Sequence, residues 1–269
     1  MRLILYIFIL MTSLNAQEII LGVVPQQSPV VLIQKWQPIA DYLSQRLHKK
    51  VTFKTEMNIP KFEEELYAGN YDIAYMNPYH YVIAHEKESY QALARADKLI
   101  QGILLSQKLD KAFEAKQFKG KTFLFPAPKA FAATLLTKYE LKKFFNFDVD
   151  KDAKVLYVNS HDSVYKCIAR DVGDFGGGII RTFKNLEDKK TKDKLSIVYK
   201  TSAYPSHPIA IHKRLTTQQK AEIQSALLSI PHDLLKSLNI KRLIKTDDSE
   251  YDVIRELAKG LNTQEEENE

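Results

Sequence analysis

The chain holds one cysteine, Cys167, among 269 residues. No disulfide can close within it, so its folded state depends on packing. Cys167 lies in YKCIAR, a helical pattern, and reads as a buried, inert thiol. Long apolar runs are scarce too. The first, LILYIFIL, is too short to span a bilayer comfortably, and no later stretch approaches the roughly 20 apolar residues that a membrane helix needs. Glycine is sparse, at 9 residues. Its one cluster, Gly176-Gly177-Gly178, lacks the GxGxxG spacing of a dinucleotide fingerprint, which discounts that kind of nucleotide site. Metal-ligand spacing is missing: His80, His207 and His212 form no zinc-like pattern with one another or with Cys167. Internal repeats and nucleic-acid-binding motifs are absent, so neither a cofactor nor a nucleic-acid partner is expected.

What is present begins with MRLILYIFILMTSLNA, residues 1–16, in which Arg2, a continuous apolar run and Ala16 make a secretory signal peptide. An uncleaved anchor is the alternative. Cleavage after Ala16 would expose Gln17 and not the cysteine of a lipoprotein, so a soluble exported protein is expected. The remaining residues, about 250, suit one large or two smaller domains. Net charge is +6. Acids are concentrated in the last residues, 262–269, which are expected to be a disordered tail, so the body is more basic than the total suggests. That excess favours encounter with small anions or an acidic membrane surface, unless the lysines form only a solvated helical face.

Strand and helix patterns alternate after the signal, which argues for an α/β protein with largely parallel sheets. Glu18 to Val24 reads as a strand ending in a loop with Gln26 and Gln27, and the helix after it carries Trp36 as a core anchor, with Pro38 near a helix start. The stretch YDIAYMNPYHYVIA changes period in its middle: strand to Tyr75, a break at Asn77-Pro78, then a helix. It sets Asn77, Tyr79, His80 and Tyr81 at the carboxyl end of a strand beside a helix start, where open α/β sheets place ligands. The same tyrosines can also be half-buried packing residues. A second such unit runs from Thr122 to Phe125 through Lys129 into a helix from about Ala130 to Phe145. A third places Ser160, as cap, with His161 and Asp162 at a helix start. Leu99 to Leu105 and the stiff Tyr204-Pro205-Ser206-His207-Pro208 read as two crossings between lobes.

Four segments then resemble a known family in order and separation: LGVVPQQSP before a tryptophan-containing helix, GNYDIAYMNPYHYVIA, SHDSVYKCIARDVGDFGGG and TSAYPSHPIAI. The family is the periplasmic solute-binding proteins of the phosphate, phosphite and phosphonate type. Its Ser-His-Asp followed by Asp-x-Gly is matched by Ser160, His161, Asp162, Asp174 and Gly176. The resemblance implies a two-lobed type II periplasmic-binding-protein fold with two hinge crossings. Residues 17–103 and 204–261 would form one lobe, and residues 104–203 the other. It implies a periplasmic, monomeric protein that captures a small polar or oxyanion ligand for an inner-membrane ABC permease. A sensory accessory docking on a membrane histidine kinase would use the same cleft. Ligand contacts are expected from Gln26, Gln27, Asn77, Tyr79, His80, Tyr81, Lys129, Ser160, His161, Asp162, Asp174 and Tyr204. The APKAFAAT loop departs from the family's Ser/Thr-rich one, and Asn77 and His80 replace smaller residues. A second ligand class is thus a cationic or zwitterionic head group held by Tyr42, Tyr79, Tyr81 and Tyr204, with Asp162 or Asp174 as counter-charge.

An enzyme is not expected. Ser160, His161 and Asp162 are consecutive at a helix start and point in different directions, whereas a catalytic triad brings distant residues together.

Overall fold

The computed structural model describes residues 18–108 and 115–266. The signal-peptide reading of residues 1–16 lies outside the described residues. In chain order the first lobe opens with β1 (Ile19–Val23), α1 (Pro29–Leu47), β2 (Val51–Thr55), α2 (Ile59–Tyr67), β3 (Ile73–Tyr75), α3 (Pro78–Glu88) and β4 (Gln91–Ala96). The second holds β5 (Ile100–Gln107), β6 (Thr122–Phe125), a π-helical turn (Phe131–Leu135) running into α4 (Leu136–Phe145), α5 (Val149–Asp152), β7 (Lys154–Tyr157), α6 (His161–Ala169), β8 (Phe175–Ile179), α7 (Ile180–Lys184), α8 (Lys189–Asp193) and β9 (Leu195–Tyr204). The chain then returns to the first with β10 (Pro208–Ile211), α9 (Thr217–Leu228), α10 (His232–Lys236), β11 (Leu243–Lys245) and α11 (Asp252–Glu266).

Two mixed sheets result, in the orders β11-β4-β10-β3-β1-β2 and β7-β6-β8-β5-β9. β1 lies between β2 and β3 with both parallel, while β10 returns antiparallel between β3 and β4. In the second sheet β6 and β8 run parallel, Phe123 opposite Phe175 and Leu124 opposite Gly176. Parallel strands send their carboxyl ends to one edge, so the loops after β1 and β3 and those after β6 and β8 meet where the lobes face each other.

Residues at helical spacing in α1, Leu32, Trp36, Ile39, Ala40 and Leu43, are all buried on the first sheet. The core of that lobe reaches across the cleft to Phe131 and Leu136, so the two lobes pack on one another. The consecutive glycines have a packing cause. A Cβ at Gly177 would stand 2.1 Å from the Ala133 carbonyl oxygen, and one at Gly178 2.5 Å from the Tyr165 hydroxyl. β8 is thus bare on both faces, letting the π-turn sit on one and α6 on the other.

The structure corrects several boundaries. β5 lies wholly in the second sheet from Ile100, so the change of sheet falls at Asp97–Leu99, ahead of the expected residue 103. The return falls at Pro205–His207, next to the expected residue 204. Pro38 is interior to α1, and the helix start belongs to Pro29, whose missing N–H costs nothing there. α11 continues to Glu266 because Gln and Glu are good helix formers and no proline stops it, so the tail expected to be disordered from residue 262 is helical that far. Cys167 is half-buried, not fully enclosed, and lies beside the second lobe's core.

Candidate ligand cleft

Between the lobes lies a cavity of about 10 Å³ lined by Val24, Gln26, Asn77, Ile100, the Ala130–Ala133 segment, His161, Ile179 and His207 among others. That volume holds barely one water, so anything larger enters only as the lobes part. Local sequence positions each polar member. Asn77 caps α3, its side-chain oxygen accepting from the His80 amide at 2.7 Å, which turns its amide nitrogen across the cleft to the Lys129 carbonyl at 3.3 Å. Ser160 caps α6 by accepting from the Ser163 amide at 3.1 Å, which sets His161 at the first helical position. The His161 amide donates to the Gln26 carbonyl at 3.2 Å, a second bond between the lobes. Helix starts leave their first amides without intrahelical partners, and the π-turn at Phe131–Leu135 brings such a start to the cavity wall.

A stack supports the cleft from the first lobe. The Trp36 and Tyr75 rings lie 4.6 Å apart, and Tyr75 stacks on His207 at 5.2 Å. Arg181, at the start of α7 in the other lobe, donates to the Tyr75 hydroxyl. Arg181 makes no ion pair among the described residues. The Gln26 side-chain nitrogen lies 2.6 Å from His207 Nε2. With the amide as donor, His207 carries its proton on Nδ1, which has no protein partner; His161 Nδ1 has none either.

Burial, reinforced by the nearby Arg181 charge, lowers the His161 pKa to about 3. Burial, then Arg181, then the neighbouring histidines hold His207 well below the usual histidine range. Both rings are therefore neutral donors at physiological pH, and Arg181 carries the formal charge. Burial also raises the Tyr75 pKa, although Arg181 opposes this, so the phenol keeps its proton.

A pH dependence follows. An unfolded histidine takes up a proton near pH 6.5, whereas folded His161 stays neutral until about pH 3. Between these values the unfolded chain binds more protons, so stability falls as pH falls. From pH 7 to pH 5 this histidine should cost about 2 kcal/mol. Urea unfolding of wild type and His161→Asn at both pH values checks this: the variant's loss on acidification should be smaller by about that amount.

The structure separates the expected site residues. Gln26, Asn77 and His161 line the cavity. Gln27 and Asp162 stand beside it at the lobe contact: the Ser28 amide donates to Asp162 at 3.4 Å, and Lys35 donates to Gln27 at 3.1 Å. Burial raises the Asp162 pKa, although bonds from Ser28 and Gln27 lower it. Lys129 offers its carbonyl while its side chain is exposed, and Ser160 serves as the cap. Tyr204 is half-buried, edge-on to Phe131 at 5.7 Å.

Four others point elsewhere. His80 is fully buried against α2, its Nε2 3.0 Å from Glu63. Tyr81 is fully buried in the first lobe, donating to Asp248 at 2.8 Å and accepting from the Ala92 amide at 3.2 Å. Tyr79 faces Arg255 and Ala258 across a flank of the same lobe. Asp174 precedes β8 at the end away from the cleft, accepting from the Thr122 amide at 2.8 Å and pairing with Lys121 at 3.0 Å. Five strand residues separate it from the cleft, roughly 16 Å. Sequence reading missed Tyr75, Arg181 and His207. A polar side chain just beyond the carboxyl end of β8 was the available signal for Arg181.

Two α/β lobes, joined by two crossings around a cleft rich in hydrogen-bond donors, define a two-lobed solute-binding protein. The family model described as "ABC transporter, phosphonate, periplasmic substrate-binding protein" matches residues 21–251. The chain belongs to that family, which is one of binding proteins and not of enzymes. It is similar in fold to PhnD1 from Prochlorococcus marinus in complex with methylphosphonate, with a TM-score of 0.85 and 19% identity over 92% of this chain and 99% of that one. A binding protein component of an ABC phosphonate transporter from Pseudomonas aeruginosa gives 0.86 and 18% over 95% and 90%. A Xanthomonas citri protein bound to chloride ion gives 0.71 and 15% over 93% and 99%. No helix among the described residues is long and apolar enough to cross a membrane.

Proposed function

We propose that this protein captures a small phosphonate- or phosphate-like oxyanion between its lobes and delivers it to an inner-membrane ABC permease. In this reading it is exported by its signal peptide, is not a lipoprotein, and works as a monomer. One observation carries the reading: two neutral buried imidazoles with unpartnered Nδ1 atoms and a helix start line one small cavity, and Arg181, bonded to the Tyr75 hydroxyl just behind it, places its charge close enough to act on both imidazoles. A guanidinium and neutral donors suit an oxyanion, and burial there strengthens each bond. The cationic alternative loses its wall, because Tyr79, Tyr81 and Asp174 lie outside the cleft.

Closure on the ligand would be a hinge motion at Asp97–Leu99 and Pro205–His207, since among the described residues only these segments pass between the sheets. Calorimetric titration with methylphosphonate, phosphate, phosphite and glycine betaine tests the reading. At least one oxyanion should bind and the betaine should not. Binding of the betaine with silence from all three oxyanions would overturn it.

A further inference from the structure

A second cavity, of about 260 Å³, opens beside the hinge. Its wall combines the first crossing (Lys98, Leu99), the start of β5 (Ile100, Gln101), α7 with Arg181 and Lys184, and the Asn239–Ile240 loop of the first lobe. Two properties mark its chemistry. The floor is aliphatic, from Ile100, Ile179, Ile180 and Ile240, with the exposed Leu99 at its edge. The rim carries Lys98, Arg181 and Lys184, none of which pairs with a carboxylate among the described residues. Asp97, the one acid in the lining among the described residues, has Arg242 at 3.7 Å on one oxygen, and its other oxygen is buried without a partner.

We infer that this hinge cavity binds a second small ligand, an amphiphilic monoanion such as a short-chain carboxylate. Its head would lie among the three cations and its chain on the isoleucine floor. A cation would meet three like charges, and a neutral alcohol would leave them unanswered. At about 260 Å³ the cavity lies just under the usual small-molecule range of about 300–1,000 Å³, enough for a short-chain ligand, whereas the cleft in this arrangement holds barely one water.

The site is built to communicate with the cleft. Ile100 and Ile179 line both cavities, and Arg181 reaches from the hinge cavity to the Tyr75 hydroxyl. Both lobes also contribute wall, so the shape belongs to their closed arrangement and an occupant favours that arrangement. Linkage then requires the carboxylate and a cleft ligand to strengthen each other equally. This reciprocity rests on the oxyanion reading of the cleft; occupancy of the hinge cavity does not.

The experiment uses hexanoate, with hexan-1-ol and hexylamine as controls, on the mature chain followed by NMR and calorimetry. Hexanoate should shift the amides of Lys98, Gln101, Lys184 and Asn239 and bind at least tenfold tighter than either control. Lys184→Glu, an exposed change outside the cleft, should weaken hexanoate at least tenfold while leaving methylphosphonate affinity in its absence unchanged. Saturating hexanoate should tighten methylphosphonate binding about threefold or more in wild type only. Equal binding of hexanol, shifts confined to the cleft, or indifference to Lys184→Glu overturns the proposal. Hexanoate binding without any methylphosphonate binding would sustain the hinge site and reject the cleft ligand instead.

Discussion

Arg181→Met should weaken methylphosphonate binding by two orders of magnitude or more and leave the thermal midpoint nearly unchanged. The guanidinium bonds to the Tyr75 hydroxyl, lies over that ring at 5.9 Å, and has no carboxylate partner among the described residues. Its loss therefore strands no buried counter-charge, while methionine keeps the apolar stem. The binding loss is large because the oxyanion would keep its desolvation cost and lose its one formal positive partner, a change of about 2–5 kcal/mol. Arg181→Lys separates charge from geometry: the ammonium restores charge without the planar fork and should recover only part of the affinity. Calorimetry with a parallel melting curve measures both quantities. Unchanged affinity in the methionine variant would remove Arg181 from the site.

Gly177→Ala should damage folding and binding together. The added methyl would meet the Ala133 carbonyl oxygen at 2.1 Å and the Phe125 ring at 2.5 Å, both held in the second lobe's interior. The π-turn has to lift, taking its leading amides out of the cleft. Overpacking of this kind costs about 1–3 kcal/mol, a fall of several degrees in a chain of this size. Binding should fall at least tenfold. Gly178→Ala is the control, because the three atoms nearest its methyl would all belong to Tyr165 of α6, at 2.5, 2.6 and 3.0 Å, whereas the atom nearest the Gly177 methyl belongs to the π-turn. It should destabilise to a similar degree with a much smaller effect on binding. Equal binding losses in both variants would show that the π-turn's position is not what the ligand senses.

How far the sequence could be read follows from what a pattern encodes. Alternation of strand and helix carried the architecture, the Asn77-Pro78 break carried the start of α3, and capping chemistry carried Ser160, because all three are local properties. Gln26, Asn77 and His161 were legible as cavity residues because each lies near a strand end or a helix start. Tyr79, His80 and Tyr81 were not separable from Asn77, since neighbours on a helix point about 100° apart and only the packing of α2 and α11 tells which faces the cleft. Asp174 sat in a matching motif at the opposite end of β8, and its direction depends on that strand running parallel to β6. His207 and Arg181 come from a crossing and a helix start more than 25 residues apart, and only the closed pairing of lobes brings both to Tyr75.

The bonds between lobes bear on how quickly cargo is surrendered. Among the described residues, hydrogen bonds that include Asn77 to Lys129, His161 to Gln26, Ser28 to Asp162 and Arg181 to Tyr75 hold the two halves together without any contribution from a ligand. A receptor that supplies much of its own closing energy asks less of its cargo, so a compact anion with few atoms can still be retained. The same contacts lengthen its residence, because escape waits for them to break. Unloading then becomes work for the transporter, which must compete for these surfaces to prise the halves apart.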